Sequence, residues 1–326
     1  MENVVEVRDL TKSYGEILAV DHISFEVREG EIFGFLGPNG AGKTTTIRML
    51  TGLSRPTDGA ACVLGFDVES EVVKAKKYIG VVPEASNLYE ELSAFDNLLF
   101  MARLYGVPRD QRRARAEELL KTFRLYERKD HLFGTFSRGM KRALTIAAAL
   151  IHGPKLLFLD EPTVGLDVVA ARSLRNLIGN LHQQGVTIFL TTHYLEEADL
   201  LCNRIAILVK GRILRIDAPE VLKSVAEDES TIEVSFEKMP PKFVDGLSRK
   251  LPDLKVVATN QNKVRIYGGV PARVLEKVLH YARDRDVEVD RVNSIKPSLE
   301  DAFIKVTGLS PSIMAIEKGG GRQNVA

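Results

Sequence analysis

The chain has 326 residues, enough for about two domains at roughly 150 residues each. It is 44% apolar and 27% charged, and its 45 Lys and Arg against 44 Asp and Glu leave a formal charge of +1, so no global basic excess argues for nucleic-acid binding. The acidic start "MENVVEVRDL" is not a secretory signal, no stretch approaches the ~20 apolar residues of a spanning helix, and the two cysteines, Cys62 and Cys202, read as reduced thiols of a cytosolic protein.

In chain order, "VVEVRDL" and "ISFEV" alternate and predict strands, the second closed by the turn "REGE". "IFGFL" is a continuous apolar run, as expected of a strand covered on both faces. It leads straight into "GPNGAGKTT", and "KTTTIRMLTG" predicts a helix stopped at Gly52. "VVPEASNLYEEL" begins as a strand and puts Glu84 on a bend after Pro83. From about Glu84 to Arg142 the pattern turns helical, with Ala116, Leu119, Leu120 and Phe123 on one face. "RDQRRARAEE" reads as a solvated helix face. "MKRALTIAAALIHGP" predicts a helix stopped at Gly153 and Pro154. Buried strands return with "LLFL" and "TIFL". Between them Ala170, Leu174, Leu177, Ile178 and Leu181 stripe a helix. "RIAILV" and "RILRI" read as a hairpin about Lys210-Gly211.

This predicts an α/β P-loop core over residues 1–220 with a helical block inserted at about 84–142. Beyond it, strands and helices alternate as β-α-β-β-α-β, which predicts a small α+β, ferredoxin-like domain over 229–308. "SLEDAFIKVTG" closes it as a helix, and the polar, Gly-rich residues 309–326 read as a disordered tail.

"GPNGAGKT", Gly37 to Thr44, fits G-x-x-x-x-G-K-[ST] between a strand and a helix. The predicted nucleotide cradle is Gly37, Pro38, Asn39, Gly40, Ala41, Gly42, Lys43, Thr44 and Thr45. Its glycines turn main-chain N–H groups toward phosphate, Lys43 reaches the β and γ phosphates, and the Thr44 hydroxyl goes to Mg2+. "LLFLDE" delivers two acids at the end of a buried strand, where open α/β sheets bind ligands. Asp160 is the expected magnesium ligand and Glu161 the expected base for the attacking water.

With these motifs on the page, the first 220 or so residues resemble the ATP-binding subunits of ABC transporters. "FSRGMKR" resembles that family's signature loop, "TTH" its switch histidine, and Tyr14 in "KSYG" its adenine-stacking aromatic. The resemblance implies that Ser137, Arg138, Gly139 and Met140 act across a head-to-tail dimer. Ser137 and Gly139 would meet the γ-phosphate held by the other copy, although Ser137 also suits the cap of the helix that follows. Asp167 in "GLD" would couple the two sites, and His193 would contact the γ-phosphate.

Three positions depart from the family pattern. Arg138 stands for Gly, Met140 for Gln, and Glu84 for the hinge Gln that approaches magnesium and water. Glu84 keeps an oxygen at that reach and adds charge, so it is expected beside the metal. "SRGMKR" and the closing "PSLEDAFIKVTG" resemble the branch that powers drug and polysaccharide exporters. The implied function is ATP hydrolysis that drives a separately encoded membrane subunit, with the chain peripheral on the inner face of the membrane. The alternatives are a soluble ABC ATPase acting on ribosome or DNA, and a P-loop phosphotransferase. The single phosphate loop and the lack of long heptads weigh against the first, and the signature loop against the second.

Overall fold

The computed structural model describes residues 2–226, 231–295 and 297–309. The chain divides into two compact units, one ending at Pro219 and the other spanning Glu220–Leu309. The proposed tail lies outside the described residues, apart from Leu309. Among the described residues no helix is long and apolar enough to cross a membrane. Cys62 and Cys202 are both free.

The first unit is built on a six-stranded sheet. Its strands run in the order Arg212–Asp217, Arg204–Val209, Ile32–Leu36, Thr187–Thr192, Leu156–Asp160 and Ile79–Val82. All are parallel except the edge strand Arg212–Asp217, which closes a hairpin. Lys210 (φ 48°) and Gly211 (φ 80°) supply the left-handed turn that two-residue hairpins require. Every residue of Ile32–Leu36, Leu156–Asp160 and Thr187–Thr192 is buried, as the continuous apolar runs predict. Register places Phe33, Phe189 and Phe158 side by side on three adjacent strands, with ring centroids 5.9 and 5.5 Å apart.

A second, antiparallel sheet holds Ile17–Arg28, Asn3–Tyr14, Asp58–Val63 and Phe66–Asp67 in that order. One core joins its inward residues, Val5, Val27 and Phe25 among them, to the phenylalanine row. Its first two strands outrun the stretches that alternate. Register shifts about Asp9 (φ 46°) and His22 (φ 48°) break the period of two. Asp58–Val63 carries no readable strand pattern: "DGAACV" has one β-branched residue, and its place comes from pairing with Asn3–Tyr14.

The inserted block contains helices Ala94–Leu104, Arg112–Thr122 and Arg138–Ala149. Ser93 caps the first by accepting from Asp96 N at 3.0 Å. Ala116, Leu119, Leu120 and Phe123 are buried, as their spacing predicts. The helix Val168–Gln183 buries Leu174, Ile178 and Leu181.

In the second unit, strands Lys255–Asn260, Lys263–Tyr267, Thr231–Phe236 and Val289–Ile295 form an antiparallel sheet in that order. Helices Phe243–Lys250 and Pro271–Arg283 follow the first and third of these strands in sequence. Ile232, Val234, Leu247, Val264, Ile266 and Val278 build a core of its own. The closing helix Leu299–Thr307 opens on a capping box of Ser298 and Asp301.

Candidate active site

Strand Ile32–Leu36 runs out at Gly37, and the chain loops back through Gly42 into the helix Lys43–Leu50. Two close approaches explain the glycines. A Cβ on Gly37 would stand 2.2 Å from the Leu208 carbonyl oxygen, and one on Gly42, at φ 106°, would stand 2.6 Å from that of Ala19. The loop lines a cavity of about 650 Å³. Asn39, Gly40, Ala41, Gly42, Lys43, Thr44 and Thr45 form one side, and Tyr14, Arg48, Glu84, Glu161, His193 and Tyr194 contribute to the rest. Gly37 and Pro38 lie behind that wall, where their carbonyls accept from Lys43 Nζ at 2.6 and 3.1 Å.

Adjacent strands deliver the acids. Asp160 ends the strand Leu156–Asp160 and is 4% exposed. Its Oδ1 accepts from Thr191 Oγ1 at 2.6 Å and from Thr44 Oγ1 at 3.1 Å. Burial pushes its acid above the usual range; the two hydroxyls oppose this, and the charges of Glu161 and Glu84 add to it. A buried carboxylate beside other acids favours a cation. A carboxylate and a hydroxyl from different elements suit magnesium, which completes its shell with water and phosphate oxygens. Consistent with so partial a ligand set, no group of three or more His, Cys, Asp or Glu among the described residues could hold a metal alone.

Glu161 sits at φ 48°, a left-handed conformation uncommon outside glycine. Its Oε1 is 3.0 Å from Lys43 Nζ, and its Oε2 is 2.9 Å from His193 Nδ1. Burial alone would raise this acid, but the His193 hydrogen bond and the charges of Lys43 and His193 outweigh it and hold the carboxyl below its usual range. Glu84 stands on the predicted bend, exposed and at the cavity wall, and its charge is felt at Asp160. The Tyr14 ring is half-exposed at the same cavity, with its hydroxyl 3.4 Å from Ser54 Oγ.

The signature residues stand apart. None of Ser137, Arg138, Gly139, Met140 or Asp167 lines this cavity. Ser137 caps the helix Arg138–Ala149 by accepting from Met140 N at 3.3 Å, and Asp167 caps Val168–Gln183 by accepting from Ala170 N at 2.8 Å. Arg138 Nη1 reaches the Gly165 carbonyl at 3.5 Å.

Two buried residues escaped the sequence reading. Arg142, 8% exposed, donates to the carbonyls of Pro162 at 2.9 Å, Asp160 at 2.7 Å and Glu84 at 3.2 Å, and also to that of Pro83. Burial pulls its guanidinium down to about 10, still charged at neutral pH. Its spacing from Ile146 and Ala149 put it on the apolar face of its helix, and that was the available signal. Glu197 is 2% exposed, and among the described residues neither carboxyl oxygen meets a hydrogen-bond partner at normal geometry. Burial pushes its acid up, and the hydroxyls of Thr192 and Thr163 lie near enough to oppose this without closing a hydrogen bond. Arg175 pairs instead with Glu196, at 3.2 Å.

A family model described as ABC transporter matches residues 20–164. The chain is 35% identical over 307 residues to the linearmycin resistance ATP-binding protein LnrL of Bacillus subtilis (strain 168), covering 94% of this chain and 98% of that one. It is 36% identical over 312 residues to the Nod factor export ATP-binding protein I of Mesorhizobium japonicum, covering 93% and 86%. Among solved structures, a dimeric ATP-binding cassette in a post-hydrolysis state with ADP and phosphate superposes with a TM-score of 0.60 at 28% identity, covering 66% of this chain and 98% of that one.

Proposed function

The chain belongs to the ATP-binding subunits of ABC transporters and is an ATPase, and from that premise we propose that two copies close around two ATP molecules to drive a separately encoded membrane exporter subunit. The observation that carries this reading is the division of the site. Lys43, Thr44, Glu161 and His193 share one cavity, whereas Ser137 and Gly139 lie off it, where a second chain can meet them. The dimeric form of a similar cassette supports the pairing. Relatives named for linearmycin resistance and Nod factor export support the export reading, with this chain on the cytoplasmic face of the membrane as part of the proposal.

In this reading the phosphates lie along Gly37–Thr45, with Lys43 on the β and γ groups and the adenine on Tyr14. Thr44 and Asp160 would hold magnesium, with Glu84 beside it, and a bound ion would supply charge neutralisation at the phosphates. Glu161 takes the proton of the attacking water, and His193, already 2.9 Å from Glu161, orients it and faces the γ-phosphate. Ser137 and Gly139 of the second copy complete the site, with Arg138 and Met140 at the same junction, and Asp167 links the two sites. Closure then moves the membrane subunit through the helical block. The second unit's strand order supports a ferredoxin-like fold, and its role in this reading would be to stabilise or regulate the dimer.

The test is to measure the mass of Glu161→Gln by light scattering with and without ATP, then to isolate the wild type with its membrane fraction. A dimer that forms only with ATP and recovery with a polytopic membrane protein are expected. A monomer at saturating ATP, or recovery with ribosomes alone, would overturn the reading.

A further inference from the structure

The guanidinium of Arg142 is buried, and it donates to four main-chain carbonyls. They belong to two separate segments. Nη1 binds the carbonyls of Pro83 and Glu84, where the strand Ile79–Val82 gives way to the helical block. Nη2 and Nε bind those of Asp160, at 2.7 Å, and Pro162, at 2.9 Å. The residue itself rides on Arg138–Ala149, the helix that Ser137 opens. One planar fork therefore joins the hinge, the metal-side strand end and the signature helix.

The second pair of bonds brackets Glu161. Its left-handed backbone persists only if its surroundings over-determine it. Arg142 fixes the carbonyl on either side, while the Glu161 N–H donates to Thr191 Oγ1 at 3.1 Å. The Glu161 carboxylate is thereby aimed at Lys43 and His193.

We propose that Arg142 is a positioning residue that holds Glu161 in its working conformation and makes the hinge at Pro83–Glu84 move together with the strand end at Asp160–Pro162. Rotation of the helical block then cannot occur without shifting the acid that faces the water. This rests on the reading of Glu161 as the base. Lysine keeps the charge but not the fork, so it cannot span both segments.

The test uses the full chain and Arg142→Lys, with ATPase kinetics and amide hydrogen exchange over residues 83–92 and 160–167, with and without Mg-ATP. For Arg142→Lys, kcat should fall by ~10- to 100-fold, the effect of a misplaced catalytic group. KM for ATP should stay within about threefold, because uniform binding is untouched. ATP should protect both segments together in the wild type, and only residues 160–167 in the variant. Wild-type kcat together with joint protection in Arg142→Lys would overturn the proposal. Should that variant not fold, exchange on the wild type still decides: one common opening free energy for the two segments supports the link, and two distinct values refute it. Full turnover in Glu161→Gln would instead sink the assignment of the base, leaving the link to be judged by exchange alone.

Discussion

Lys43 Nζ lies 3.0 Å from Glu161 Oε1, and both side chains are almost wholly buried. The pair spans two strand ends separated by the strand Thr187–Thr192, so the sheet itself sets the distance. A terminal phosphate and Glu161 are competing anions for one ammonium. In the proposed mechanism, phosphate arriving at Lys43 would release the carboxylate to act on water while His193, 2.9 Å away, kept its other oxygen. Glu161→Gln removes the competitor and the base together. ATP binding should be retained or tightened, and turnover should drop by ~10²–10⁴. Equilibrium nucleotide binding beside steady-state phosphate release checks this, and near-normal turnover sinks the assignment.

Glu84, at the cavity wall, adds a negative charge that acts on Asp160. Changing that side chain keeps the main-chain carbonyl of Glu84 that accepts from Arg142 Nη1. Glu84→Gln should keep most of the ATPase activity and raise the magnesium concentration needed for half-maximal rate. Superimposable magnesium titrations for variant and wild type would place the carboxylate out of the metal's range.

Glu197 gives a pH dependence of definite sign. Its folded acid is raised above the ordinary 4.5 by burial. Below that value both states hold the proton and no penalty exists. As pH rises, the unfolded chain ionises first, so stability falls until the native carboxyl also ionises. Glu161, held below its usual range, works the other way, contributing stability that is lost as pH falls. That contribution cancels between wild type and Glu197→Gln except for the repulsion of Glu197 by Glu161, which acts in the same direction as burial. The stability difference should therefore favour Glu197→Gln increasingly from about pH 4 upward and then level off. Denaturant midpoints across that range measure it, and a pH-independent difference would show Glu197 titrating as an ordinary carboxylate.

The phosphate loop and the acid pair were legible because each sits where a short, continuous apolar strand ends, and strand ends are where this architecture gathers its ligands, whereas His193 was marked by the family resemblance. Tyr14 and Glu84, which line the same cavity, were marked by the family resemblance and not by composition or spacing. Arg142 and Glu197 were not, because their partners are backbone carbonyls or buried surroundings far away in sequence, and a lone charge in a helix reads as solvated. Asp58–Val63 was missed because its pairing with Asn3–Tyr14, and not its own composition, makes it a strand.

The two units have separate cores, and Gly246 tests that separation. It lies in the helix Phe243–Lys250, where an added Cβ would stand 2.0 Å from Tyr281 Oη. The tyrosine cannot easily retreat. It is 4% exposed, its hydroxyl donates to the Phe243 carbonyl at 3.3 Å, its ring packs on Phe243 with centroids 5.1 Å apart, and the Arg285 guanidinium covers its face at 3.8 Å. Gly246→Ala therefore pushes its helix away from the helix Pro271–Arg283 that carries Tyr281, at an overpacking cost of ~1–3 kcal/mol. For a unit of this size that lowers its melting transition by roughly 4–8 °C per kcal/mol. Calorimetry should show the transition of residues 220–309 moving down while nucleotide binding by the first unit stays at its wild-type affinity. A parallel loss of ATP affinity would mean that the second unit's packing supports the nucleotide site and that the two cores are not independent.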